Sequence, residues 1–134
     1  MATGGGSVAV VAQFLTDAWI ESLDVAGAAA DLAPELDVIV QQVVIDGDLE
    51  VAYVVRVGEG RVRVTSGRDD AAHVSFTQDR ATAAAIARGE VAAQVAFMDG
   101  RLRVGGDLRG LLRHATALAA LDDVFAPARA ETTW

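Results

Sequence analysis

The stretch 46-DGDLEVAYVVRVGEGRVRV-64 decides the fold. Asp46-Gly47-Asp48 and Gly58-Glu59-Gly60 are turn sequences, since glycine reaches backbone conformations closed to other residues and aspartate bonds its own backbone. Between them Leu49, Val51, Tyr53, Val55 and Val57 alternate with Glu50, Ala52, Val54 and Arg56. Side chains of a strand point alternately to its two faces, so the odd positions predict a core-facing row. After the second turn Val62 and Val64 alternate with Arg61 and Arg63 in the same way. Two such runs joined by a short turn predict a hairpin.

Working outward, Leu36 to Ile45 is rich in Val and Ile and supplies a strand before the first turn. Beyond the polar loop around Gly67 to Asp70, His73 to Thr77 reads as a fourth strand with Val74 and Phe76 inward. Short loops between these strands predict an antiparallel meander. A fifth strand, Arg101 to Val104, lies between the turn Asp99-Gly100 and the break Gly105-Gly106.

Helical periodicity flanks the strands. Ser7 is read as an N-cap, and Val8, Val11, Ala12, Leu15, Ala18, Trp19 and Leu23 then fall at three- and four-residue spacings opposite Gln13, Asp17 and Glu21. A second short, Ala-rich helical piece is expected before Pro34, which restricts Ala33. Asp79 caps a helix over Arg80 to Arg88, ended by Gly89, and a brief helical or irregular piece spans Glu90 to Phe97. Asp107 opens a last helix whose stripe is Leu108, Leu111, Leu112, Ala115, Leu118, Ala119 and Leu121, and Pro127 ends it. The reading is an α+β protein with one domain over residues 7–126, a flexible tail over 1–6 and a flexible C-terminal tail over 127–134.

Composition narrows the function. The 134 residues are 52% hydrophobic but 5% aromatic, so the core rests on Val, Leu, Ala and Ile. Nineteen acidic residues oppose eleven basic ones, all arginine, for a net charge of -8. Such a surface repels phosphate backbones, so no nucleic-acid partner is expected. The pairs Arg61/Arg63 and Arg101/Arg103 have the spacing of a solvated strand face. The absence of cysteine removes disulfides, thiolate nucleophiles and sulfur-bound zinc. The N-terminal stretch lacks a basic region, and its apolar run is interrupted by Gln13 and Asp17, so no signal peptide is read. No run approaches the roughly 18 apolar residues of a membrane span, and a cytoplasmic location is expected.

Catalytic chemistry finds no footing. His73 and His114 have no serine or aspartate in a recognised nucleophile setting around them. The acids Asp46, Asp48, Glu59 and Asp99 adjoin glycines and read as turn residues. Gly105-Gly106-Asp107 matches no phosphate-cradling pattern, and Asp69-Asp70 is too little for a metal. No catalytic residue, metal or cofactor is therefore expected. What remains is apolar: the wide stripe of the last helix, with Phe97 and Met98 before the fifth strand, suits either a packed core or a ligand cavity, and periodicity does not separate the two.

The segment Phe97-Met98-Asp99-Gly100-Arg101-Leu102-Arg103-Val104-Gly105-Gly106-Asp107-Leu108 resembles the most recognisable part of sterol carrier protein 2 (SCP-2) domains: an aromatic, a turn glycine, a basic-apolar-basic-apolar strand, then Gly-Asp before an apolar helix. Upstream, His73-Val74-Ser75-Phe76 followed by Asp79, a helix and Gly89 is similar to the strand, helix and glycine that lead into it. The resemblance spans roughly residues 8 to 122 and is specific from about Val74 onward. It implies a five-stranded, mainly antiparallel sheet covered by helices, with an apolar tunnel between them for a sterol, fatty acid or fatty acyl-CoA. On that reading Trp19, Phe76, Ile86, Phe97, Leu102, Leu111, Leu112, Ala115 and Leu118 line or gate the pocket. The ending Thr132-Thr133-Trp134 departs from the peroxisomal targeting tripeptide of some members, and the lysine-rich, membrane-facing surface of others is missing. Carboxylates near the mouth favour a neutral lipid. The alternative is an interaction or homodimerisation domain, an accessory subunit that presents its last helix to a partner chain.

Overall fold

The computed structural model describes residues 12–134, and of residues 108, 110 and 111 the backbone only. The expected tail over 1–6, the Ser7 cap and helix positions Val8 and Val11 lie outside the described residues. In chain order the elements are β1 (Ala12–Gln13), α1 (Asp17–Ala28), β2 (Val38–Asp46), β3 (Leu49–Gly58), β4 (Arg61–Ser66), β5 (Val74–Asp79), α2 (Arg80–Ala87), α3 (Ala93–Met98), β6 (Leu102–Gly106), α4 (Leu108–Arg113), α5 (Ala115–Ala130) and β7 (Thr132–Thr133).

Five strands form one sheet in the order β4-β3-β2-β5-β6. Three of its junctions are antiparallel, but β5 pairs with β2 in parallel, so the four-strand meander stops after β4 and the sheet is mixed. Residues 67–73 carry the chain back across the outer face. Gly67 N–H donates to the Ala52 carbonyl, Asp69 N–H to Gln41 Oε1, and His73 N–H to the Ile39 carbonyl. Asp69 also accepts from Ala71 N–H and from the Arg56 guanidinium. These bonds satisfy the backbone of a connection that would otherwise be costly to lay over a sheet. Val54, the cross-strand neighbour of Gln41, is buried there.

The inner face carries the core. Val38, Val40, Val44, Val55, Val57, Val62 and Val64 pack against Trp19, Ile20 and Leu23 of α1 and against Ala117, Leu121, Phe125 and Ala128 of α5. Each fully buried valine contributes about 1.5–3 kcal/mol over an exposed one. The alternation predicted for β3 holds for Val51, Tyr53, Val55 and Val57, whereas Leu49 is 68% exposed at the turn end of the strand.

Three boundaries differ from those read in the sequence. The first helix starts at Asp17 rather than near Ser7: Leu15 has φ +68°, outside the helical region, and Thr16 Oγ1 accepts from Trp19 N–H at 3.2 Å as the N-cap. Its Ala-rich continuation belongs to the same helix, which runs to Ala28 instead of breaking into a second piece. The last helix breaks at His114 into α4 and α5, and α5 continues through Pro127 to Ala130. Pro127 and Asp123, four residues before it, are exposed, so the carbonyl without an N–H partner has access to water. Residues 127–134 are therefore no free tail. They end α5, and β7 pairs in parallel with β1, while Trp134 lies 4.8 Å from the Phe14 ring between centroids.

Candidate functional site

β2 is the central strand, and Gln42 stands on its inner face, opposite Tyr53 of β3 and Phe76 of β5. A polar residue amid this valine layer needs a partner. Gln78, itself buried on the inner face of β5, supplies it by donating from Nε2 to Gln42 Oε1 at 2.8 Å. Gln42 is only half-buried, as are Phe76 and Tyr53 beside it. The helices explain this uneven cover. α1 lies across β4 and packs on α5, and α2 follows β5 directly and packs on β2 and β5. Leu118 and Val124 of α5 and Ala84 of α2, packed against the core, are likewise partly exposed. Burial pushes the Tyr53 phenol above its ordinary pKa, with the nearby Arg129 charge pulling the other way.

The residues singled out in the sequence divide into three groups. Trp19 is buried in the core, edge-on to Phe14 and Tyr53, with its Nε1–H donating to Thr132 Oγ1 at 3.1 Å. Phe76, Ile86, Leu102 and Leu118 are buried or half-buried; by register with Phe76 and Gln78, Leu102 faces the same inner side. Phe97 is 51% exposed and Leu112 is 81% exposed, and Ala115 is exposed at the start of α5. The side chain of Leu111 lies outside the described residues.

Two open clefts flank this layer. One, of about 430 Å³, includes Leu15, Asp17, Ile20, Glu50, Val51 and Arg68 in its lining. Its Arg68 and Glu50 are already paired at 2.6 Å. The other, of about 410 Å³, lies at the ends of α2 and α5 and is lined by Ala87, Arg88, Ala126, Arg129, Ala130 and Trp134. None of the nine residues singled out in the sequence appears in either lining. In the sequence Trp134 reads as part of a tail, and Gln42 falls in an apolar run whose inward register only the pairing of β2 reveals.

Several of the polar groups that could serve chemistry have structural partners. His73 Nδ1 accepts from Ile39 N–H at 3.0 Å, and its ring stands 5.4 Å from that of His114. Asp46 pairs with Arg80, Asp99 with Arg101, and Asp107 with Arg113. Among the described residues no three His, Asp or Glu side chains gather as a metal site, and no helix is long and apolar enough to cross a membrane.

Comparison with known proteins gives a family and a fold. The profile of the SCP-2 sterol transfer family matches residues 21–119. No match was found among proteins with curated descriptions. Among solved structures, a conserved hypothetical protein of Thermus thermophilus superposes with a TM-score of 0.68 at 20% identity, over 91% of this chain and 92% of that one. A crystal structure of sterol carrier protein 2 gives 0.68 at 21% identity, over 87% and 98%. Sterol carrier protein 2 like 2 from Aedes aegypti gives 0.60 at 18% identity, over 79% and 94%.

Proposed function

This chain belongs to the SCP-2 sterol transfer family, and we propose that it carries one apolar lipid, a sterol or an acyl chain, between the inner face of the sheet and the helices. The observation that carries this reading is the incomplete burial of Phe76 and Leu118, which both pack on the core yet remain partly open. A ligand there would cover what the protein leaves uncovered. Phe76, Ile86, Leu102 and Leu118 are proposed as its lining, and Phe97, Leu112, Ala115 and Leu111 as residues of its entrance. Trp19 anchors α1 behind that layer. Transfer of each methylene from water into such a layer contributes about 0.8 kcal/mol, so an acyl chain is held without any covalent step or cofactor. The proposed setting is the cytoplasm.

Native mass spectrometry of the purified protein, followed by organic extraction, tests this. One co-purifying sterol or acyl chain per protein is the expected result. A protein that arrives empty and takes up neither a fluorescent fatty acid nor a fluorescent sterol would refute the carrier role.

Exposure of Met98 (83%) and Leu112 (81%) on the short helices α3 and α4 favours a second reading, in which these residues meet a partner chain. A homodimer in solution that Met98→Ser and Leu112→Ser dissociate, with no lipid bound, is the result that would put this reading first.

A further inference from the structure

We propose that the cleft between the ends of α2 and α5 holds the anionic head of an acyl-chain ligand, with Arg88 and Arg129 as its cations and the Trp134 indole as its wall. The inference rests on the lipid-carrier reading and names the ligand class that the carrier takes.

The charge pattern is the first argument. The chain carries -8 overall, yet among the described residues the charged side chains lining this cleft are Arg88 and Arg129. Each guanidinium is held by one exposed carboxylate: Arg88 by Glu90 at 3.2 Å and Arg129 by Asp122 at 3.3 Å, the acids being 53% and 77% exposed. Surface pairs of this kind are weak, and a ligand carboxylate or phosphate, bound by both guanidiniums at once, competes with them well.

Shape supplies the second. Ala87, Ala126 and Ala130 line the same open cleft of about 410 Å³ as the two arginines, and the Trp134 ring faces Arg88 with 6.0 Å from guanidinium carbon to ring centroid. Small apolar side chains and an indole suit the first methylenes of a chain below its charged head.

Position supplies the third. The cleft begins one residue after Ile86, on the helix that packs against β2 and β5. Arg129 is its less exposed cation, at 28% of its side chain. It lines the cleft and is near enough for its charge to act on the phenol of Tyr53, a residue packed on the core at the inner face. An acyl chain lying along that face would end with its head group here. The C-terminal carbonyls of α2 and α5 are nearby and disfavour an anion, but they amount to about half a charge each, against a full charge on each guanidinium. The neutral lipid expected from the acidic surface is replaced by an anionic one, because local charge outweighs net charge at this range.

The test measures dissociation constants of palmitate, hexadecyl phosphate and 1-hexadecanol for the full chain, by displacement of a fluorescent fatty acid. At least one of the two anions is expected to bind about tenfold or more tightly than the alcohol. Arg88→Gln and Arg129→Gln each weaken that anion about tenfold, the scale of one lost charged hydrogen bond, and leave 1-hexadecanol unchanged. Arg88→Lys recovers part of the loss. Sensitivity confined to palmitate identifies a carboxylate head, and sensitivity confined to hexadecyl phosphate a phosphate head. The Arg88 side chain is 46% exposed, so Arg88→Gln keeps the fold even where Arg129→Gln lowers the melting temperature. Binding of all three ligands with equal affinity, or anion affinity indifferent to Arg88→Gln, overturns the head-group site while leaving the carrier role standing. Failure of all three to bind the wild-type chain overturns the head-group site and the acyl-chain form of the carrier reading together, and failure of a fluorescent sterol as well removes the carrier role.

Discussion

The backbone of Gly27 lies so close to β4 that a Cβ added there would stand 2.5 Å from the Val62 carbonyl oxygen and 2.9 Å from the Val62 Cβ. Helix α1 covers the sheet at this distance because position 27 has no side chain. Gly27→Ala therefore pits a gain in helix propensity of about 1 kcal/mol against an overlap costing about 1–3 kcal/mol. A net loss of stability is expected in urea unfolding. An unchanged or higher midpoint would mean that α1 does not sit this close.

Thr132 accepts from the Trp19 indole and donates to the Ala128 carbonyl at 2.8 Å. Thr132→Val should cost about 1 kcal/mol, with the indole N–H left without its acceptor. In a double-mutant cycle with Trp19→Phe the two losses should be less than additive. Full additivity would show that the bond contributes nothing.

Asp79 caps α2 by accepting from Thr82 N–H at 2.8 Å, and that bond, with the Thr82 hydroxyl, holds its carboxyl below the usual carboxylate range. A pKa lowered by folding means stability present when the carboxyl is ionised and lost as pH falls through the folded-state value. Asp79→Ala should cost about 1 kcal/mol at neutral pH. It should also make the fall in melting temperature between pH 5 and pH 2 shallower than in wild type. Parallel pH curves for the two proteins would argue against a capping carboxylate.

Leu118 is partly exposed yet packed on the core, and Leu112 is open to solvent. Leu118→Trp is expected to reduce fluorescent fatty-acid uptake at least tenfold with little change in far-ultraviolet circular dichroism. Leu112→Ser should leave stability within about 0.5 kcal/mol. Unchanged uptake by a folded Leu118→Trp protein would remove Leu118 from the lining.

Alternation made the sheet legible: Val51, Tyr53, Val55, Val57, Val62, Val64, Val74 and Phe76 face inward as their spacing requires. Pairing order was not legible, since a polar segment such as 67–73 serves a hairpin or a crossover equally well. It is the bonds from Asp69 and His73 to Gln41 and Ile39 that select the crossover. The strands β1 and β7, of two residues each, are too short for any periodicity, and Pro127 reads as a stop although α5 passes through it. The cleft at Arg88, Arg129 and Trp134 unites residues that are far apart in the chain. No local pattern announces them.

Trp19 and Thr132 are separated by 113 positions, and the parallel pairing of β1 with β7 lies alongside their bond. A contact of such long sequence separation carries a heavy loop-closure entropy and contributes to folding only after the intervening chain is ordered. The β2–β3–β4 hairpins are local and are expected to form early, with the parallel β2–β5 ladder following. The clasp between the two ends is expected to close last and, in hydrogen exchange, to open first. Refolding followed through the environment of Trp19 should accordingly trail the appearance of β-sheet circular dichroism.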